Sequence, residues 1–422
     1  MKMNLNIKNV GLTVLCGILL FGAAGCKKFL AEKNKSNFTQ DTYFTSAKQA
    51  ESAVDGIYNS LGTFMVSNGY GERPWAALEL IVGHATTLGQ SLYNNQMIAH
   101  TIDPANPFFS QIWNDSYFGI ANANLCIKRI PAIKMDTAAK AALLGQAHFF
   151  RAYFYFLLVR LYGDVPLITN PIDAKSPDLY PSRTSADSVY QLIVSDLQTA
   201  EQSGLPNVDP TGKISLGAVK SLLAEVYLRM AGYPLQKTEY YQKAADEAKA
   251  VIDSKWYSLF PDYADLHDNA HKNQGELILQ DQYEAGIRTN SLCQDTIPYM
   301  VGISQFHDEF GDVVPTNGFY DSYEPGDLRT KEQEFYFSKY PSIQNPSRTV
   351  NFGVHALYKY FHKESALNTA QCDENWTLLR LPEIMLIYAE ASNEVSGPTP
   401  YAYAQVNAIR KRAQLPPLAG LT

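Results

Sequence analysis

The sequence predicts a mainly α-helical protein, with tetratricopeptide-like helix pairs in an array and a loop-rich half beside them. Three observations carry this. Residues 141–167, AALLGQAHFFRAYFYFLLVRLYGDVPL, contain a stretch, 147–162, whose strongly polar side chains are only His148, Arg151 and Arg160. Apolar groups fall on every face, as in a helix buried among other helices. A membrane span needs roughly 20 apolar residues, and two arginines inside one are costly. Next, residues 215–231 and 238–254 read as two helices joined across Gly232-Tyr233-Pro234, with Ala218, Ala224, Ala244 and Ala248 alternating with large Leu and Tyr. That is the small-into-large packing of a tetratricopeptide pair, whose repeat is about 34 residues. Finally, from Trp256 to about Cys372, prolines, glycines and asparagines interrupt short apolar runs. A long irregular segment inside a helical protein is usually functional.

The chain opens with Lys2 and Lys8, an apolar run over residues 10–21, and Gly22-Ala23-Ala24-Gly25 before Cys26. A charged start, an apolar middle and small residues before the cut define a secretory signal peptide. Residues 1–25 are read as that leader and 26–40 as a tether. Residues 41–61 follow as a capped amphipathic helix, with Thr45-Ser46 ahead of the apolar face Ala50, Ala53, Val54, Ile57, Tyr58 and Leu61. Residues 66–107 show no clean period and contain seven glycines and prolines. Further helices are expected over 108–130, stopped by Pro131, over the central stretch, stopped by Gly163-Asp164 and Pro166, and over 185–203. After the loop-rich region, helices return at 382–395 and 400–413. The domain reading is therefore a helical part over 41–255, an irregular ligand-side region over 256–375, and C-terminal helices over 376–422.

The formal charge is −7 and no basic stripe interrupts it, which disfavours a nucleic-acid surface. Of five cysteines, Cys16 falls in the leader, and Cys126, Cys293 and Cys372 permit at most one disulfide beyond Cys26. No CxxC pair exists, so a zinc ribbon is excluded. His267 and His271 are four apart, but Pro261 and Gly275 bracket them and no third soft ligand is close; no metal and no cofactor are expected. The sequence has no GxSxG, HExxH or GxxxxGK. Asp308, Glu309 and Asp312, or Asp321, Glu324 and Asp327, sit in Gly/Pro-rich loops where close carboxylates usually solvate or cap. No enzyme is predicted.

Several stretches together resemble the SusD/RagB family of outer-membrane lipoproteins. They are the lipobox ending at Cys26 with KKFL after it, Trp113-x₃-Tyr117 running into IANANLCIKRIP, Arg151-AYFYFLLVRLYGDVP, VPTNGFYDSYEPGDLR (314–329), RLPEIMLIYAEA (380–391) and AYAQVNAIRKRAQLP (402–416). The resemblance implies a right-handed array of tetratricopeptide helix pairs with an irregular half packed on it. It also implies acylation of Cys26, a cell-surface position on the outer membrane, and capture of a glycan for a SusC-like TonB-dependent transporter. Peptide capture, or a structural lipoprotein that binds no small ligand, are the alternatives. Two departures stand out. Members usually continue with a Glu-Arg-rich helix and an aromatic-Asp-Leu-Arg-Trp stretch that has no counterpart here, so an incomplete C-terminal region is expected. Residues 81–84 read Ile-Val-Gly-His where many members carry a Ser-Asp pair, which removes one implied ligand contact.

Sugar binding needs flat apolar faces for the ring and amides or carboxylates for its hydroxyls. The first loop region supplies Tyr70, Arg73, Trp75, Tyr93, Asn94 and Asn95; the second supplies Tyr283, Arg288, Asn290, Tyr299, Asn317, Phe319 and Tyr320. Trp75 ranks first, beside Pro74 and polar Glu72 and Arg73. Trp113, Tyr117, Arg151 and Arg380 fall among core positions of predicted helices and are read as structural.

Overall fold

A computed structural model describes residues 43–65, 73–89, 91–173, 176, 179–369 and 371–421. Two compact units divide the chain, Met1–Thr45 and Ser46–Thr422. The leader and Cys26 lie outside the described residues. In the first unit, residues 43–45 make a tight turn, with the Thr45 N–H donating to the Tyr43 carbonyl at 2.9 Å.

Eight described α-helices run along residues 47–254 of the second unit, six of them begun by a side-chain cap. They are α1 (Ala47–Tyr58), α2 (Pro74–Ile81), α3 (Leu92–Ile98), α4 (Pro107–Arg129), α5 (Thr137–Tyr162), α6 (Ala186–Glu201), α7 (Leu216–Ala231) and α8 (Tyr240–Ser254). The side chains of Ser46, Ser91, Asn106, Asp136, Ser185 and Ser215 each accept a first-turn N–H from the helix that follows. Each such cap stabilises its helix by about 1 kcal/mol. Gly163 ends α5 with φ 69°, a left-handed turn that glycine adopts without penalty.

Successive helices pack as neighbours: α4 on α5, α5 on α6, α6 on α7 and α7 on α8. The chain then leaves the array and returns to it with α9 (Leu381–Ser396), which lies against α8 and α7, and α10 (Pro400–Arg412), which lies against α9. This is a tetratricopeptide-like helical fold. At its centre α5 buries Phe149, Phe150, Phe154, Tyr155 and Phe156 completely, each removal from water contributing about 2 kcal/mol. It is the one described helix long and apolar enough to cross a membrane, and it is mostly covered by other parts of the protein. Gly119 lets α4 approach it, because a Cβ there would stand 2.3 Å from the Phe154 ring.

A buried ion pair sits inside this packing. Arg151 donates to Asp196 on α6 through Nε (2.7 Å) and Nη2 (2.8 Å), and through Nη1 to Asn124 Oδ1 on α4 (2.9 Å) and to the Thr169 carbonyl (3.3 Å). His148 Nδ1 reaches the same Asp196 carboxylate at 2.6 Å. Of the other positions expected at helix cores, Trp113 and Tyr117 are half-buried and packed, while Arg380 ends a strand instead of lying in a helix. The Tyr117 hydroxyl donates to the Pro166 carbonyl at 2.8 Å, and Trp113 packs 5.0 Å from both Tyr117 and Tyr162.

The irregular half carries four longer strands in two antiparallel pairs. β1 (Leu277–Asp281) pairs with β4 (Trp376–Arg380), and β2 (Tyr336–Pro341) with β3 (Thr349–Leu357). A second core gathers Cys293, Ile297, Ile303, Phe337, Ala356 and Cys372, rimmed by Tyr340, Phe352, Tyr358 and Phe361. Glu276 ties this half to the returning helices. Fully buried, it accepts from Arg380 at 3.0 Å, from Arg412 of α10, and from the Phe260 N–H at 2.9 Å. Within residues 66–107, read as irregular, the structure holds α2 and α3. Pro74 starts α2 at its first turn, and its run PWAALELI is too short and too uniformly apolar to show a period.

Arg151→Ala leaves Asp196 and Asn124 buried without their cation, so a loss of about 3–5 kcal/mol is expected. Chemical denaturation of the full chain checks this. A loss below about 1 kcal/mol would show that apolar packing alone holds α4, α5 and α6 together.

Candidate functional site

The two loop regions meet. Ala85–Thr86 and Val314–Pro315 pair as short antiparallel strands. Just beyond, the Gly311 carbonyl accepts from Leu88 N–H at 2.8 Å and from Thr87 Oγ1 at 3.1 Å. Gly311 has φ 59°, and a Cβ on it would fall 2.8 Å from Tyr299 N, 3.2 Å from Leu88 Cβ and 3.3 Å from Tyr299 Cβ. Leu88 and Tyr299 therefore flank one glycine, one residue from each loop region.

The 299–311 loop is held from inside. The buried Glu309 carboxylate accepts three backbone N–H groups, from Gly302 (2.8 Å), Ile303 (2.6 Å) and Ser304 (2.7 Å). Met300 and His307 take left-handed backbone, φ 53° and 55°, a conformation that persists in non-glycine residues only when the surroundings impose it. The loop thus presents Tyr299 (42% exposed), Phe306 (50%) and Met300 (71%) to solvent, with Leu88 of the first region beside Tyr299; Leu92 of that region is exposed as well (65%). Apolar and aromatic side chains on a pinned loop over a rigid scaffold make a binding rim.

Behind the rim lies a buried support. Asn94 donates from Nδ2 to Asp312 at 3.3 Å, and Trp75 donates from Nε1 to Asp295 at 3.3 Å. Asp295 also holds Arg73 at 3.4 Å and the Ser291 hydroxyl at 2.9 Å. Burial pushes the Asp295 carboxyl up, Arg73, Ser291 and Trp75 pull it back, and it settles at about 6. Trp75 packs 5.7 Å from Trp376 and 6.3 Å from Tyr360. Phe319 stands over His84 at 4.9 Å, and Tyr320 stacks on His355 at 3.6 Å. A cleft of about 240 Å³ opens next to Tyr360 and Trp376, lined also by Glu79, Lys359, Thr377 and Arg380.

This geometry corrects the ranking of single residues. Trp75 is only 3% exposed, so its ring faces belong to the protein interior and offer no platform to a sugar. Asn94, Tyr283 and Asn290 are buried as well. Tyr283 lies under the Arg288 guanidinium, 4.5 Å away, while Arg288 pairs with Asp281 at 2.7 Å. Asn290 is spent on the Cys372 backbone and on the Glu374 carbonyl. Tyr93, Phe319 and Tyr320 are half-buried, and Tyr299 is the candidate aromatic that stands well exposed. Tyr70 lies outside the described residues. His267 and His271 turn to different carboxylates, Glu374 and the Asp265–Asp268 pair. Leu88, Leu92, Met300 and Phe306 escaped notice, although Leu88-Gly89 and Met300-Val301-Gly302 do set apolar side chains beside glycines in loops.

Comparison with known proteins fits this architecture. The SusD-like profile described as starch-binding and associating with the outer membrane matches residues 28–228, and the SusD family profile matches residues 307–420. A solved SusD superfamily protein from Parabacteroides distasonis superposes with a TM-score of 0.86 at 33% identity, over 92% of this chain and 83% of that one. The chain belongs to the SusD family. SusD-like protein P2 of Formosa agariphila is 28% identical over 94% of this chain and 80% of its own length. A laminarin-binding SusD-like protein shares the fold with a TM-score of 0.73 at 22% identity, covering 89% of this chain and 86% of that one.

In this SusD-family chain the buried Asp295 reports its own charge through Trp75. Its value near 6 lies above the ordinary carboxylate value near 4. The stability it contributes is therefore complete below about 4 and lost as pH rises through about 6. In ¹H–¹⁵N spectra the Trp75 indole N–H resonance should move with a midpoint near pH 6, and Asp295→Asn should abolish the movement. A flat profile between pH 4 and 8 would mean that the carboxyl titrates elsewhere.

Proposed function

We propose that this chain is a cell-surface lipoprotein of the outer membrane that captures a glycan unaltered and delivers it to a SusC-like TonB-dependent transporter. Cys26 carries the acyl anchor, since a cysteine directly after the leader's small residues is where a lipoprotein is acylated, and more than one acyl chain gives stable anchoring. The observation that carries the reading is the pinned 299–311 loop, which holds Tyr299 exposed against Leu88 in a member of the SusD family. A laminarin-binding relative of the same fold supports the ligand class. The ring of Tyr299 stacks on the sugar, and the side chains of Tyr93, Phe319 and Tyr320 are secondary candidates.

Five of the six carboxylates in the two acidic loop clusters are engaged in structural contacts. Glu309 is bound to three N–H groups, Asp312 to Asn94, Asp308 to the Ser304 hydroxyl, Asp327 to Arg329 and Glu324 to Arg410. Each has a structural partner, and none of these five stands free as an acid–base pair.

Native affinity gels containing laminarin, xyloglucan or starch test the reading with the full chain. One polysaccharide should retard the protein, and Tyr299→Ala should weaken binding roughly tenfold, the equivalent of about 1.4 kcal/mol. Trp75→Ala should instead lower thermal stability. No retardation of folded protein across the panel would overturn glycan capture and favour a peptide ligand. Retardation unchanged by Tyr299→Ala would move the site to the cleft at Tyr360 and Trp376.

A further inference from the structure

Away from the rim, four residues separated in sequence converge behind Tyr360. The Glu374 carboxylate is 5% exposed and takes up two imidazoles, His362 Nε2 at 2.9 Å and His267 Nδ1 on its other oxygen. Cys372 Sγ, also buried, accepts the Glu374 N–H at 3.4 Å. One ligand atom each from His362, Cys372 and Glu374 lies within 4.8 Å of the others.

The supports are rigid. Asn290 exchanges two backbone hydrogen bonds with Cys372, at 2.7 and 2.9 Å, and its side chain donates to the Glu374 carbonyl at 2.9 Å. His362 N–H donates to Cys293 Sγ at 3.3 Å. On the solvent side, a cavity of about 380 Å³ reaches His267, His362 and Asp373, an entry path for an ion.

We infer that His362, Cys372 and Glu374 form a binding site for a divalent transition metal, Zn²⁺ fitting best, with His267 orienting the Glu374 carboxylate. A thiolate, an imidazole and one carboxylate oxygen are a borderline-soft donor set that suits Zn²⁺ or Co²⁺, whereas Ca²⁺ and Mg²⁺ demand oxygen ligands. Tetrahedral Zn–N and Zn–S bonds place ligand atoms about 3.5 Å apart. The half-buried His362 ring and the Cys372 side chain therefore close by about 1 Å on binding. The ion replaces the proton shared by His362 and Glu374 and displaces the Cys372 thiol proton, so protons are released. His267 stays on the outer oxygen, the usual position of a group that orients a metal ligand. The fourth position faces the cavity. Bound there, the ion staples the 362 turn to the 372–374 segment and, through His267, to the turn before β1.

Isothermal titration of the metal-stripped full chain with Zn²⁺, and absorption spectroscopy with Co²⁺, test the site. One equivalent of Zn²⁺ should bind and raise the melting temperature, and Co²⁺ should give a thiolate-to-metal charge-transfer band. Cys372→Ser should lose the band and weaken Zn²⁺ at least about 100-fold, His362→Ala should weaken it similarly, and Cys126→Ala should keep both signals. Absence of Zn²⁺ binding to the folded wild-type chain would overturn the inference. So would a charge-transfer band that survives Cys372→Ser.

Discussion

The helical half depends on a guanidinium held in an apolar interior. A buried arginine is tolerable only when every donor finds an acceptor and its charge finds a partner. All three guanidinium nitrogens of Arg151 are paired, with groups drawn from α4, α6 and the segment after α5, and its charge meets Asp196. Apolar contacts around α5 are non-directional and admit many packings. The fork geometry of Arg151 on Asp196 admits one. Helix positions, and the loops they carry, inherit their register from that pairing.

Glu276 repeats the arrangement with the signs reversed. Here a buried carboxylate collects Arg380 and Arg412, and its backbone carbonyl accepts the first N–H of α9 at 2.9 Å. It joins β1 to the two helices that complete the array. The irregular half is thereby fastened as a fixed platform, and Glu309 does for one loop what these ion pairs do for whole elements.

Much of this was legible in the sequence, for identifiable reasons. The central helix announces itself because no face is polar, and Arg151 is conspicuous as a cation within such a run. Caps at Ser46, Asp136 and Ser215 mark helix starts through local chemistry alone. The site was legible only as two regions. Trp75 looked like a sugar platform because exposure cannot be read from residue type, and its burial depends on Trp376 and Tyr360, some 300 residues away. Tyr299 gains its importance from Glu309 and Gly311, whose roles lie in backbone geometry. The group at Glu374 was hidden for another reason: His267 is brought to it across roughly 100 residues, and no spacing motif joins them.

The order of the array along the chain has a kinetic consequence. Besides packing on α7, α8 lays one side against α9, which follows only after the whole irregular half. A chain emerging from its amino end completes α4 to α8 from local contacts, which form quickly. That side of α8 stays uncovered until the carboxyl end arrives, and closing so long a loop is entropically slow.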